Sequence, residues 1–162
     1  NFILLFIAFF VWTGAAHEAG AVQMRSALSG IPVNAAMITE FHVLDPKDPL
    51  KLAAGHVLSG FQQDFPVLEA GKPVGILTRS ELVKGLSERG ADSTVGDAMQ
   101  RQFQTADPFE MLEGAFQRLA EGDSRSMPVM ANDRLVGIVT PENIGEFVMF
   151  REALRQHAGS HK

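Results

Sequence analysis

The chain has 162 residues, 46% of them apolar, a net charge of −5 and no cysteine. An acidic balance argues against a nucleic-acid partner, which needs a basic face, but leaves room for a local basic pocket around a phosphate. Without cysteine, disulfides and thiolate metal ligands are excluded.

In chain order, residues 1–16 read NFILLFIAFFVWTGAA, with nothing polar between Phe2 and Trp12. At 1.5 Å per residue the stretch covers about 24 Å, slightly short of a ~30 Å hydrocarbon core. A chain that begins with Asn rather than Met is expected to be a piece of a longer one, so this stretch is predicted to be a truncated transmembrane helix. The rivals are a buried helix and a secretory signal peptide, the latter without its basic leading region. All 14 basic residues lie at or beyond Arg25, which favours a cytoplasmic location for the rest. Residues 17–32 read as a linker, helical towards Leu28 and stopped by Ser29-Gly30 and Pro32. Within it, His17-Glu18 opens like the zinc-protease pattern H-E-x-x-H, but the second His is absent. No other histidines pair at ligand spacing on one helix, so no metal is expected.

From residue 33 onward one unit is written twice. Val74-Gly75-Ile76-Leu77-Thr78-Arg79-Ser80-Glu81 returns as Val136-Gly137-Ile138-Val139-Thr140-Pro141-Glu142-Asn143, an offset of 62 residues. The offset holds without a gap for Val33/Val95, Met37/Met99, Asp45/Asp107, Leu50/Leu112, Gly60/Gly122 and Pro66/Pro128. The copies are taken as 33–94 and 95–156, followed by a polar tail at 157–162.

Each copy is predicted to run strand, helix, strand, strand, helix. In the first, residues 41–44 form a short strand. Asp48 caps a helix with Pro49 at its first position and with Leu50, Ala53, Ala54, Val57 and Leu58 inward. Residues 65–68 and 74–77 make a hairpin, and Thr78 opens a second helix with Leu82, Val83 and Leu86 inward. In the second copy Asp107-Pro108-Phe109-Glu110 has the spacing of a capping box, and Phe109, Leu112, Phe116 and Leu119 form one stripe. Residues 127–130 and 135–139 make the hairpin, and Ile144, Phe147, Val148 and Leu154 face inward on the last helix. A three-stranded sheet with two helices is too small to cover both sheet faces alone. Two copies packed sheet to sheet about an approximate two-fold axis do so, giving an α/β (α+β) fold.

Each copy ends a strand in Gly-Ile-(Leu/Val)-Thr and then starts a helix. A helix N-terminus offers unpaired N–H groups and the positive end of the dipole, which suits a phosphate. Thr78 and Thr140 add hydroxyls; Glu81 and Asn143 add acceptors one turn later, suited to a sugar diol. The plainer alternative is capping: Thr78-x-x-Glu81 is a capping box, and Thr140-Pro141 a cap followed by proline at the first helical position. Both uses are compatible.

These residues carry a resemblance. Phe65-Pro66-Val67 with residues 74–81, and Met127-Pro128-Val129 with residues 136–143, resemble the CBS domain, as do the lead-ins Val33-x-x-Ala36-Met37 and Val95-x-x-Ala98-Met99. Two in tandem resemble a CBS pair, or Bateman module, over residues 31–154. The resemblance implies βαββα units packed through their sheets, with clefts that bind adenosine-containing nucleotides such as AMP, ADP or ATP. It would place Thr78 and Thr140 on ribose or phosphate, and Glu81 and Asn143 on the ribose hydroxyls. Backbone near Phe41, Val67, Phe103 and Val129 would border the adenine, and Arg79 and Arg125 would neutralise phosphates. The family most often has Asp where this chain has Glu81 and Asn143. Glu is one methylene longer and Asn carries no charge, so if a single cleft is filled, the one using Glu81 is expected.

The hydrophobic stretch directly before the pair is similar to the end of site-2-protease-type membrane zinc metalloproteases that carry C-terminal CBS pairs. Their zinc ligands are absent here, so catalysis would lie upstream and this chain is expected to be non-catalytic. The expected role is a regulatory, nucleotide-sensing module attached to its own upstream membrane domain, with a homodimer expected. The alternative is a ligand-free dimerisation module.

Overall fold

The computed structural model describes residues 24–60, 62–122 and 124–159. The expected membrane helix at 1–16 lies outside them, as does the linker up to residue 23. Among the described residues no helix is long and apolar enough to cross a membrane. Residues 24–28 are helical, and Gly30, at φ +73°, turns the chain out of that segment.

The first copy contributes α1 (Leu50–Ser59), β1 (Phe65–Glu69), β2 (Lys72–Leu77) and α2 (Arg79–Arg89). After the four-residue helix α3 (Val95–Ala98) come α4 (Leu112–Glu121), β3 (Met127–Ala131), β4 (Arg134–Val139) and α5 (Pro141–Gly159). A 3-10 turn at Val33–Ala35 is the first-copy counterpart of α3. Both hairpins close on two residues with positive φ, Ala70-Gly71 and Asn132-Asp133, whose twist matches that of the flanking strands. Both carry the same irregularity, after Val67 and after Val129.

The expected third strand shrinks to one parallel bridge in each copy, Leu44 to Val67 and Ala106 to Val129, leaving two-stranded sheets. The Asp-Pro pair explains this. Proline offers no N–H to a ladder, and Asp45 and Asp107 accept through Oδ1 from Lys47 N and Phe109 N at 2.9 and 2.8 Å, folding the chain into a turn at once.

Those turns also displace the expected caps. Asp48 does not cap α1; its carboxylate accepts from Asp45 N at 2.8 Å, inside the turn. Nor do Asp107 and Glu110 form a capping box on α4. The first N–H of each helix is met by backbone instead: Leu50 N donates to Ser93 O at 2.9 Å, and Leu112 N to Ile31 O at 2.8 Å. Each acceptor belongs to the lead-in of the other repeat.

That exchange organises the molecule. Ile38 forms an antiparallel bridge with Ile138 of β4, and Gln100 with Ile76 of β2. Val33 N donates to Glu110 O, and Val95 N to Asp48 O. Every one of these contacts recurs at the 62-residue offset, so the pseudo-two-fold axis relates the crossings as well as the elements. Gly75 and Gly137 let the crossings happen. A Cβ on Gly75 would meet Met99 Sδ at 2.6 Å and Gln100 O at 2.8 Å; one on Gly137 would meet Met37 Sδ at 2.7 Å and Ile38 O at 3.1 Å.

The cores follow the crossings. One unites Leu44, Leu50, Phe65, Val67, Leu77 and Leu82 with Val95 and Met99. The other unites Leu28, Ile31, Val33 and Ala36 with Leu112, Leu119, Met127, Val129 and Ile144, among others. The hairpins meet through β2 and β4. Several expected core positions instead face solvent: Leu58 is 88% exposed, and Val83, Phe109 and Leu154 are exposed as well. Leu58, Val83 and Leu154 lie at the edges of their helical stripes, whereas Phe109 sits in the Asp107 turn, before α4 begins.

Candidate ligand site

The two Thr corners form as caps. Thr78 Oγ1 accepts from Glu81 N at 3.2 Å, and Thr140 Oγ1 from Asn143 N at 3.1 Å. Each hydroxyl satisfies one of the free N–H groups of the first helical turn. At α2 a second acceptor joins: Asp64 Oδ1 accepts from Arg79 N at 3.1 Å. The N-terminus of α2 therefore already holds a carboxylate, the charge its dipole favours. Burial pushes the Asp64 carboxyl above its ordinary range; the Arg79 N–H and the Ser126 hydroxyl oppose that, Glu142 adds to it, and Arg125 opposes it.

Ser126 is the offset counterpart of Asp64, and the two face each other near the axis. In the second copy Pro141 stands where Arg79 stands in the first, so no N–H is available to Ser126. Its Oγ lies near Asp64 without reaching hydrogen-bond geometry and is buried with no partner, in a residue 3% exposed. Asn143 Oδ1 is likewise buried and unpaired. Such orphans are uncommon, because a buried polar group costs free energy unless bonded.

Other predicted residues are placed as follows. Val67 and Val129 have fully buried side chains in the two cores, and their backbone carries the bridges to Leu44 and Ala106. Phe41 and Phe103 are half-buried, each between a crossing and a bridge. Arg79 reaches Gln63 Oε1 at 3.4 Å, and Arg125, itself exposed, lies 3.7 Å from the Glu142 carboxylate.

A cavity of about 590 Å³ opens in the second copy, walled by Gln100, Arg101, Phe103, Arg118, Ser126 and Met127, among others. Its Gln100 wall is bonded to Ile76, two residues before Thr78, so it adjoins the strand that ends in the Thr78/Glu81 corner. The Thr hydroxyls themselves do not line it. Arg118 pairs with Glu110 and also reaches Thr105 O, while Arg101 donates to Gly96 O at 3.2 Å. Sequence reasoning found Phe103 but missed Gln100, Arg101, Arg118 and Ser126. The signal for Ser126 was present in the repeat: a serine where the first copy has an aspartate, beside a proline that removes the donor.

Two repeats with exchanged lead-ins, capped Thr corners and a cavity between strand ends define a tandem two-unit module. The CBS domain model matches residues 23–88 and 95–149, and the chain belongs to the CBS domain family, as a tandem pair. The CBS domain-containing protein YhcV of Bacillus subtilis (strain 168) is 28% identical over 109 residues, covering 66% of this chain and 78% of YhcV. The structure of CBSX2 from Arabidopsis thaliana in complex with AMP is 22% identical, with a TM-score of 0.66 over 76% of this chain and 99% of CBSX2. The CBS domain pair of MJ0100, in complex with 5′-methylthioadenosine and S-adenosyl-L-methionine, is 22% identical, with a TM-score of 0.64 over 74% and 97%. At these identities the structural likeness establishes the fold.

Proposed function

We propose that this chain is a regulatory module whose CBS pair senses an adenosine-containing ligand such as AMP, ADP, ATP or S-adenosylmethionine. The carrying observation is that Leu119 and Met127, which wall the cavity, belong to the same core as Leu28 and Ile31 of the lead-in. A ligand that repacks this wall acts directly on the segment connecting the pair to residues upstream. Regulation requires that the ligand bind two arrangements of the pair unequally; tight binding alone shifts nothing. The CBSX2 and MJ0100 complexes lend the ligand class. Thr78 and Glu81 serve the ribose and phosphate side of the ligand, with Thr140 and Asn143 in the equivalent cleft. The parent in this reading is a site-2-protease-like membrane metalloprotease, catalytic upstream of Asn1, with the pair on the cytoplasmic side. Titration calorimetry and thermal shift of the chain with each of these ligands, up to millimolar concentration, test the proposal. Saturable heat and a raised Tm are expected; neither with any ligand would sink it.

A second reading, a dimerisation module, draws on α5, where Met149, Phe150 and Leu154 are 66%, 69% and 73% exposed. Apolar groups so placed suit a partner surface. Sedimentation should then show a dimer; a monomer at high concentration refutes it.

A further inference from the structure

The pseudo-two-fold axis makes the two clefts comparable position by position, and they are not alike. In the second copy Gln104, Arg118, Ser124, Ser126 and Met127 stand around open space. Their counterparts at the 62-residue offset are His42, His56, Gln62, Asp64 and Phe65. These pull together across the equivalent place. The His42 and His56 rings stack with centroids 4.2 Å apart, and His56 leans on Phe65 at 6.1 Å. Gln62 clasps the strand from below: its Oε1 accepts from His42 N at 2.7 Å, and its Nε2 donates to His42 O and Asp64 O, both at 2.9 Å. Ser124, in the position of Gln62, is too short to make that clasp, and bonds Ser126 O at 2.8 Å instead.

Charge separates the clefts in the same direction. Two guanidiniums and one carboxylate (Arg101, Arg118 and Glu121) wall the open cavity, whereas the corresponding first-copy positions supply two carboxylates, Glu40 and Asp64, and no Lys or Arg. With Arg118 already paired to Glu110, the open cavity is close to charge balance while the first-copy cleft is net negative, so an anionic ligand is disfavoured at the first-copy cleft relative to the open one.

We propose that the pair takes one anionic ligand per chain, in the second-copy cavity beside the Thr78/Glu81 corner, and that the first-copy cleft is plugged by its own His42–His56 stack and Gln62 clasp. The first copy's crossing bonds Ile38 to Ile138, two residues before Thr140, so the plugged cleft is the one adjoining Asn143. Asn143 Oδ1, buried and unpaired, is the acceptor that would serve a ligand there once the plug is removed. The inference rests on the nucleotide reading for the identity of the ligand, but not for the asymmetry.

Calorimetry of the full chain with AMP should give one equivalent. Transplanting the second copy's residues into the first (His42→Gln, His56→Arg, Gln62→Ser) should raise this to two. The reverse transplant (Gln104→His, Arg118→His, Ser124→Gln) should weaken binding at least tenfold. Thermal melts identify variants that fail to fold, in which case Gln62→Ser alone serves as the plug variant. Two equivalents on the unaltered chain, or one equivalent on a folded plug variant, overturn the proposal. Because the chain has no cysteine, Ser124→Cys, at a half-buried position on the cavity wall, provides a ligand-independent reading with methyl methanethiosulfonate. Rapid modification supports the open cavity even if AMP fails to bind, in which case only the adenosine reading falls. A thiol that stays inert overturns the cavity itself.

Discussion

At the scale of single residues, the corners behave as caps whether or not a ligand uses them. Thr78→Val and Thr140→Val should each cost about 1 kcal/mol in urea denaturation, with the secondary structure unchanged. Asp64 behaves differently. Its carboxyl is held above the ordinary range by burial, so ionising it is harder in the folded state than in the unfolded one. Above the folded pKa the ionised group reduces stability; as pH falls through that pKa toward the unfolded value near 4, the penalty fades. Asp64→Asn keeps an acceptor for the Arg79 N–H while removing the charge. Its Tm should exceed that of the parent at pH 7, with the gap closing by about pH 4; a gap that widens in acid would contradict this assignment. The Thr caps were legible in the sequence because a cap is local chemistry. The pairing of Asp64 with Arg79 N was not, since it spans 15 residues and depends on where the hairpin delivers Asp64.

At the scale of elements, the glycine of Gly-Ile-(Leu/Val)-Thr serves the crossing that passes over it. Gly75→Ala places a methyl group against Met99 Sδ and the Gln100 carbonyl. The thioether can turn aside; the carbonyl, fixed by its bond from Ile76 N, cannot. A loss of about 1–3 kcal/mol is expected, as for overpacking generally. Gly137→Ala should cost less, because Ile38 O lies farther away, at 3.1 Å rather than 2.8 Å. Equal losses in denaturant midpoints would argue that the sulfur contact decides both. Helices and hairpins were legible because period and turn chemistry are local. The helix caps at Asp48 and Asp107 misled because Asp-Pro satisfies two motifs at once, and the intrastrand turn closes before the helix begins. The donors left free by that choice found carbonyls in the segments leading into the other repeat, Ser93 and Ile31, which a sequence window does not reveal.

At the scale of the molecule, the sequence period and the packing are out of step. All buried residues of the first core lie between Leu44 and Met99, while the second core joins Leu28 through Ala36 to Ala106 through Ile144. The repeat was plain in the sequence; the offset between repeat and core was not, because the two lead-ins are equivalent and either pairing satisfies the same pattern. A fragment spanning 42–102 retains Val95 and Met99 and should melt cooperatively, whereas one spanning 33–94 loses both and should unfold at lower urea. If 33–94 proves the more stable fragment, the exchange of lead-ins contributes little.

The same arrangement makes the first copy an insert within the second. The chain enters through the second core at Leu28 and leaves it along α5 through Ile144, Phe147 and Val148. Tension applied between these two segments therefore runs through the second copy, and the insert hangs outside the load. A pull on the lead-in peels Leu28 and Ile31 from the core that backs the open cavity while the plugged copy stays intact. Force entering at the lead-in is therefore borne first by the half whose core backs the cavity.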